Sequence, residues 1–217
     1  MRAVAKGLPK QPRQGAHFAA MAYSELPAFM AKVRDMEASV GRLVLQFTIL
    51  TAARSGEVRG ATWDEVDTDK ALWTIPASRM KAGEAHMVPL SVAALDVLRE
   101  IQGFITGREG EPIFPGMKGK PLSDMTLAKA LRVAGGDAVT VHGMRSTFRD
   151  WVAEKMPTVP GDVAEAALAH AIPNRVEAAY RRAKYLDQRR DLMGKWAAYL
   201  GGAENVVKLV SSGAKGR

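Results

Sequence analysis

The chain has 217 residues, enough for one substantial domain, and its 47% hydrophobic and 25% charged content is that of a globular protein. No run approaches the roughly 20 apolar residues of a membrane span. The longest, Leu43 to Ala53, is broken by Gln46 and two threonines, and the basic start lacks a signal-peptide core, so a cytoplasmic protein is expected. Cysteine is absent, which excludes disulfides, thiolate catalysis and cysteine-ligated zinc. His17, His86, His142 and His170 are too scattered for an HExxH-type pair, so neither metal nor cofactor is expected. Lys and Arg number 31 against 23 Asp and Glu, a net +8 that makes a polyanionic partner a serious hypothesis.

Residues 1–22 hold Arg2, Lys6, Lys10 and Arg13 with no acid before Glu25, and Gly7, Pro9, Pro12 and Gly15 punctuate them, so they are expected to form a basic linker. Leu26, Phe29, Met30 and Val33 follow the stripe of an amphipathic helix that Ser24 would cap and that runs to about Glu37. A more apolar helix is predicted from Val40 to Ala53. The pattern then turns β-like at Ala71–Ile75 and His86–Leu90, which predicts a small antiparallel sheet with a long basic hairpin turn over Ser78–Glu84. Ser91 caps a helix to about Gln102, and a Gly/Pro-rich connection leads to another from Ser123 to about Ala134. Further helices are predicted over His142–Lys155, Asp162–Ala169, Asn174–Lys184 and Asp187–Tyr199, and residues 201–217 as a loose tail. The fold class is therefore mainly α with a small antiparallel sheet (α+β), in one domain over residues 23–200.

Four separated features bear on chemistry. Arg54 ends the buried helix and is followed by a glycine turn and Glu57. His142 and Arg145, three apart, share a helix face at an amino-terminal turn whose free N–H groups could seat a phosphate. His170 ends a small-residue helix, and Tyr180 stands between Ala178-Ala179 and Arg181-Arg182. Alone, each has an ordinary explanation: an arginine paired with Glu57, a surface helix start, a packed histidine, a core tyrosine. Together, in a basic chain, they supply what metal-free phosphodiester cleavage needs. A tyrosine with a pKa of about 10 is a poor nucleophile at neutral pH unless aided. Rigid arginines stabilise the charge gathered on the phosphate oxygens, and histidine or lysine moves the protons. Arg54 and Arg145 suit the first role; His142, His170 and Lys81 are candidates for the second.

These residues resemble the signature of the tyrosine recombinase (λ-integrase-like) family, and the match covers most of the chain. The resemblance implies that Arg54 and Arg145 clamp the scissile phosphate, Glu57 braces the arginines, Lys81 is the general acid, His142 and His170 position oxygens and manage protons, and Tyr180 is the nucleophile. Met80-Lys81-Ala82-Gly83, Val88-Pro89-Leu90 and Tyr185–Arg190 further resemble prophage and genomic-island integrases. It implies double-stranded DNA attachment sites as partner, a 3′-phosphotyrosine intermediate, and four protomers on DNA in the full-length protein. Arg79, Arg175, Arg181 and Arg182 are expected DNA contacts. The chain resembles an isolated catalytic domain, expected as a monomer, with residues 1–22 the remnant of an interdomain linker. Tyr185 and Tyr199 remain rival nucleophiles, and Lys118 and Lys120 rival acids. A type IB topoisomerase-like enzyme, a non-catalytic DNA-binding regulator and a protein-interaction module remain open alternatives.

Overall fold

A computed structural model describes residues 18–105, 108, 110–116, 122–170 and 185–202. The described helices are α1 (Leu26–Asp35), α2 (Val40–Thr51), α3 (Ser55–Arg59), α4 (Val92–Gln102), α5 (Asp124–Val133), α6 (Gly143–Lys155), α7 (Gly161–Ala167) and α8 (Leu186–Leu200). Three short antiparallel strands, β1 (Val66–Asp67), β2 (Leu72–Ile75) and β3 (His86–Pro89), lie in the order β1-β2-β3, with Leu72 opposite Pro89 and Ile75 opposite His86. None of the described helices is long and apolar enough to cross a membrane.

The central helix is α2. Ten of its twelve residues are buried, as expected of a helix apolar on all sides, and α1, α4, α5 and α8 surround it. Ser39 caps it by accepting from the Arg42 N–H at 3.2 Å, and its buried threonines donate to carbonyls one turn back, Thr48 to Val44 at 2.6 Å and Thr51 to Phe47 at 2.7 Å. An aromatic group of Phe148, Trp151, Trp196 and Tyr199 locks α6 to α8. Trp196 also donates to the Ile49 carbonyl at 2.9 Å, tying α8 to the last turn of α2. Truncating either buried tryptophan is a change of about 3–5 kcal/mol.

Several expectations need correction. The first α-helix begins at Leu26, with Glu25 rather than Ser24 at its cap position, because Pro27 presets the backbone of the first turn. The residues after Arg54 are a short helix, α3, rather than a glycine turn. The two-residue strand β1 was too short to show an alternating pattern. Part of the expected linker is folded onto the domain: the Ala19 carbonyl accepts from Thr140 N–H at 2.9 Å, the Met21 carbonyl from the Thr147 hydroxyl at 2.7 Å, and the Phe18 ring lies 4.4 Å from that of His142. Gly143 is required by this approach, since a Cβ there would collide with the Ala19 carbonyl.

Several bases of α8 have structural roles. Arg189 is buried and donates to the Met87 carbonyl of β3 at 2.7 Å, while Arg190 donates to the Lys70 carbonyl at 3.0 Å. Lys195 pairs with Asp191 at 2.7 Å. Two neighbouring arginines of α8 therefore tie that helix to β3 and to the β1–β2 connection.

Candidate active site

The ends of α2 and α7 converge on two guanidinium groups. After α2, Ala52 takes the left-handed conformation with φ 50°. After α7, Ala169 does the same with φ 50°, in a Schellman arrangement: His170 N–H donates to Glu165 O at 3.0 Å and Ala169 N–H to Ala166 O at 3.2 Å. These turns free carbonyls that the arginines take. Arg145, from the first turn of α6, donates to the Ala52 carbonyl and, at 2.6 Å, to the Leu168 carbonyl. Arg54, at the start of α3, donates to the Ala169 carbonyl at 3.2 Å and to a Glu57 carboxylate oxygen at 2.6 Å. The other Glu57 oxygen accepts from the Arg54 backbone N–H at 2.9 Å, so this buried acid holds both ends of its arginine.

Arg145 is 5% exposed, and burial together with the adjacent Arg54 charge, offset in part by Glu57, brings its pKa down to about 10. It stays charged at neutral pH. The destabilisation of that charge in the free protein is what an arriving phosphate would relieve. Partial burial, then the charges of Arg145, Arg54 and His170, hold His142 below the ordinary imidazole range. A neutral imidazole beside two arginines is able to accept a proton.

The structure thus brings Arg54, Glu57, His142, Arg145 and His170 together. Lys81 sits apart, exposed on the β2–β3 turn, with no hydrogen bond or ion pair among the described residues. Tyr180, Arg175, Arg181 and Arg182, with the rivals Lys118 and Lys120, lie outside the described residues. The Arg79 guanidinium pairs with Glu65 and donates to the Glu57 carbonyl at 2.9 Å, so it anchors the hairpin to α3. Tyr199 is a poor rival nucleophile, because its hydroxyl donates to the Tyr23 carbonyl at 2.9 Å and burial raises its pKa. Nor are the first N–H groups of α6 free: Gly143 donates to the Thr140 hydroxyl at 2.9 Å, Met144 to Val141 O at 3.3 Å and Arg145 to His142 O at 3.1 Å. Side chains, not a helix terminus, make this the cationic surface.

Two residues were passed over in the sequence. His86, on the buried face of β3, is pushed down to about 3 by burial and by the charges of Arg189, Arg54 and Arg145. Inward alternation with Val88 was the available signal. Glu165 lies against His170 with its carboxylate on Nδ1, a contact that helix spacing alone does not reveal.

This helical domain, with its marginal sheet and its arginine pair at converging helix ends, has the fold of tyrosine recombinase catalytic domains. The integrase of mycobacterium phage Brujita superposes with a TM-score of 0.62 at 17% identity, over 88% of this chain and 61% of that one. The lambda integrase catalytic core does so with a TM-score of 0.51 at 18% identity, over 72% of this chain and 94% of that one. A lambda integrase tetramer bound to a Holliday junction gives a TM-score of 0.53 at 18% identity, over 79% of this chain and 49% of that one.

The model of the phage integrase family matches residues 20–186, and the chain belongs to that family. It is 38% identical over 193 residues to the prophage integrase IntA of Escherichia coli K12, covering 87% of this chain and 44% of the relative. It is 37% identical over 203 residues to the integrase of enterobacteria phage P4, covering 85% and 46%. The chain therefore spans less than half the length of these curated relatives.

Proposed function

We propose that this chain is the catalytic domain of a site-specific DNA recombinase that integrates or excises a prophage or genomic island through a 3′-phosphotyrosine intermediate. The observation that carries the reading is the arginine pair: two guanidinium groups held by three backbone carbonyls and Glu57, close enough for the Arg54 charge to help lower the pKa of the buried Arg145. Such an arrangement is costly to a free protein and useful to one that binds a phosphodiester. Each arginine still has N–H groups beyond those the carbonyls and Glu57 take.

In this reading Tyr180 Oη attacks the phosphorus, the bond from phosphorus to O5′ breaks, and Arg54 and Arg145 stabilise the charge on the non-bridging oxygens. His142, neutral in the free protein, and His170 take up and hold protons at the phosphate, and Lys81 protonates the leaving O5′. The 5′ hydroxyl of a partner strand reverses the step and restores the phosphodiester. Exposure of Lys81 fits an acid that closes onto DNA rather than onto the protein. The +8 net charge fits a duplex partner, and four protomers would act together, as in the lambda tetramer.

The test is covalent trapping on nicked or bridged attachment-site duplexes. Wild type and Tyr185→Phe should give a denaturation-resistant protein–DNA band, and Tyr180→Phe none. A band that survives Tyr180→Phe removes Tyr180 from the chemistry. Salt-sensitive binding with no band from any variant, in a protein extended to full length, would leave a DNA-binding regulator instead.

A further inference from the structure

We infer that Glu165 is a positioning residue for His170, holding its imidazole in the tautomer that leaves Nε2 free for the phosphate, and that Arg149 holds Glu165 in turn. The inference rests on the recombinase reading of the site. Its geometry does not.

Five residues separate Glu165 from His170, about 500° of helix rotation, so on a continuing helix the two would point apart. They meet because α7 stops. The left-handed Ala169 turns the chain back, and His170 then gives Glu165 two hydrogen bonds: its backbone N–H to the Glu165 carbonyl at 3.0 Å, and its ring Nδ1 to carboxylate Oε2. The same turn delivers the Ala169 carbonyl to Arg54 and the Leu168 carbonyl to Arg145. One helix terminus thus sets the two arginines and the histidine together.

The second carboxylate oxygen is also engaged. Oε1 accepts from Arg149 Nε at 2.6 Å. Arg149 lies one turn beyond Arg145 on α6, so His142, Arg145 and Arg149, at spacings of three and four, line one face of that helix. The first two face the phosphate site directly, and the third reaches it through Glu165.

Protonation follows from this geometry. Partial burial pushes the Glu165 carboxyl up, but the hydrogen bonds from His170 and Arg149 outweigh it and leave the group below its ordinary range. An ionised carboxylate only accepts, so Nδ1 must carry the hydrogen, and in the neutral ring Nε2 is then the bare nitrogen. Without Glu165, the imidazole is free to rotate and to exchange tautomers. A half-exposed pair such as Arg149–Glu165 adds little to stability, so an effect on cleavage can be told apart from unfolding.

The experiment pairs single-turnover adduct formation on a nicked attachment-site duplex with 15N NMR of the His170 ring in the free protein, for wild type, Glu165→Ala and Glu165→Gln. Glu165→Ala should slow adduct formation by about 10–100-fold at unchanged DNA affinity and melting temperature. Glu165→Gln keeps an acceptor oxygen for Nδ1–H and should recover most of the rate. In the spectra, wild type and Glu165→Gln should show Nδ1–H, and Glu165→Ala a shift toward Nε2–H. A wild-type rate in Glu165→Ala, or an unchanged tautomer, would overturn the proposal. So would equal losses in both variants that track DNA affinity or melting temperature. If wild type forms no adduct even when extended to full length, the recombinase reading fails while the NMR comparison still decides whether Glu165 orients His170.

Discussion

The arginine floor and the β2–β3 turn are built on opposite principles. Arg54 and Arg145 are buried or half-buried and tied to carbonyls at the ends of α2 and α7, so their geometry is set before any ligand arrives. Lys81 is exposed on a turn that contains Gly83 with φ 67°, and only the base of that turn is fastened, through Arg79 to Glu65 and to the Glu57 carbonyl. The difference teaches where preorganisation is useful. Groups that meet charge developing at phosphorus gain from rigidity. A proton donor that must approach a departing strand gains from being able to close over it.

The largest expected effects separate the two regions. Arg145→Lys should lower adduct formation by about 100–1000-fold and also destabilise the fold by about 1–3 kcal/mol, because an ammonium cannot span the Ala52 and Leu168 carbonyls. Lys81→Ala should lower adduct formation by about 100-fold or more and leave the melting temperature unchanged. Urea denaturation beside adduct kinetics checks the pair, and a Lys81→Ala protein that melts earlier would end the contrast.

A pH titration of stability probes the layer beneath the floor. His86 has its pKa depressed to about 3 in the folded chain from an ordinary value of 6.5. The folded state thus resists a proton that the unfolded chain accepts. The stability this represents is fully present above pH 6.5 and is lost as pH falls toward 3, at up to about 1.4 kcal/mol per pH unit. His142, also depressed, adds to the same limb. Between pH 6.5 and 5, where carboxylates contribute least, His86→Asn should flatten the decline. An unchanged slope would mean that His86 is not protected from protons.

The smallest expected effect tests the left-handed turn that closes α7. Ala169 holds φ 50° with a side chain, which costs about 1–2 kcal/mol against glycine, offset by the greater chain entropy of glycine. Ala169→Gly should raise stability by about 0.5–1 kcal/mol with adduct formation intact. A loss of stability would show that the methyl group packs favourably enough to outweigh the backbone.

Much of this was legible in the chain. The helix spanning α2 was evident from its continuous apolar character, and β2 and β3 from their runs of β-forming residues, while the Ser39 cap emerged only with the fold. Arg54, Glu57, His142, Arg145 and His170 were found by their order, and the structure groups them. What escaped was non-local. The pairing of Arg79 with Glu65, fourteen positions away, is shown only by the fold. Glu165 sits at a separation that helical periodicity forbids, and only the left-handed Ala169 cancels the mismatch. The seat expected at the start of α6 was taken by Thr140, a residue before the helix whose hydroxyl no periodic pattern marks.

The family match ends at residue 186, where α8 begins. Yet α8 supplies Trp196 to the end of α2, Arg189 to β3 and Arg190 to the β1–β2 connection. A fragment trimmed to the homology limits would lose the strut between the helical body and the sheet that bears the Lys81 turn. For expression or fusion the carboxy-terminal cut belongs beyond Leu200, because the family match stops short of the helix that completes the folded unit.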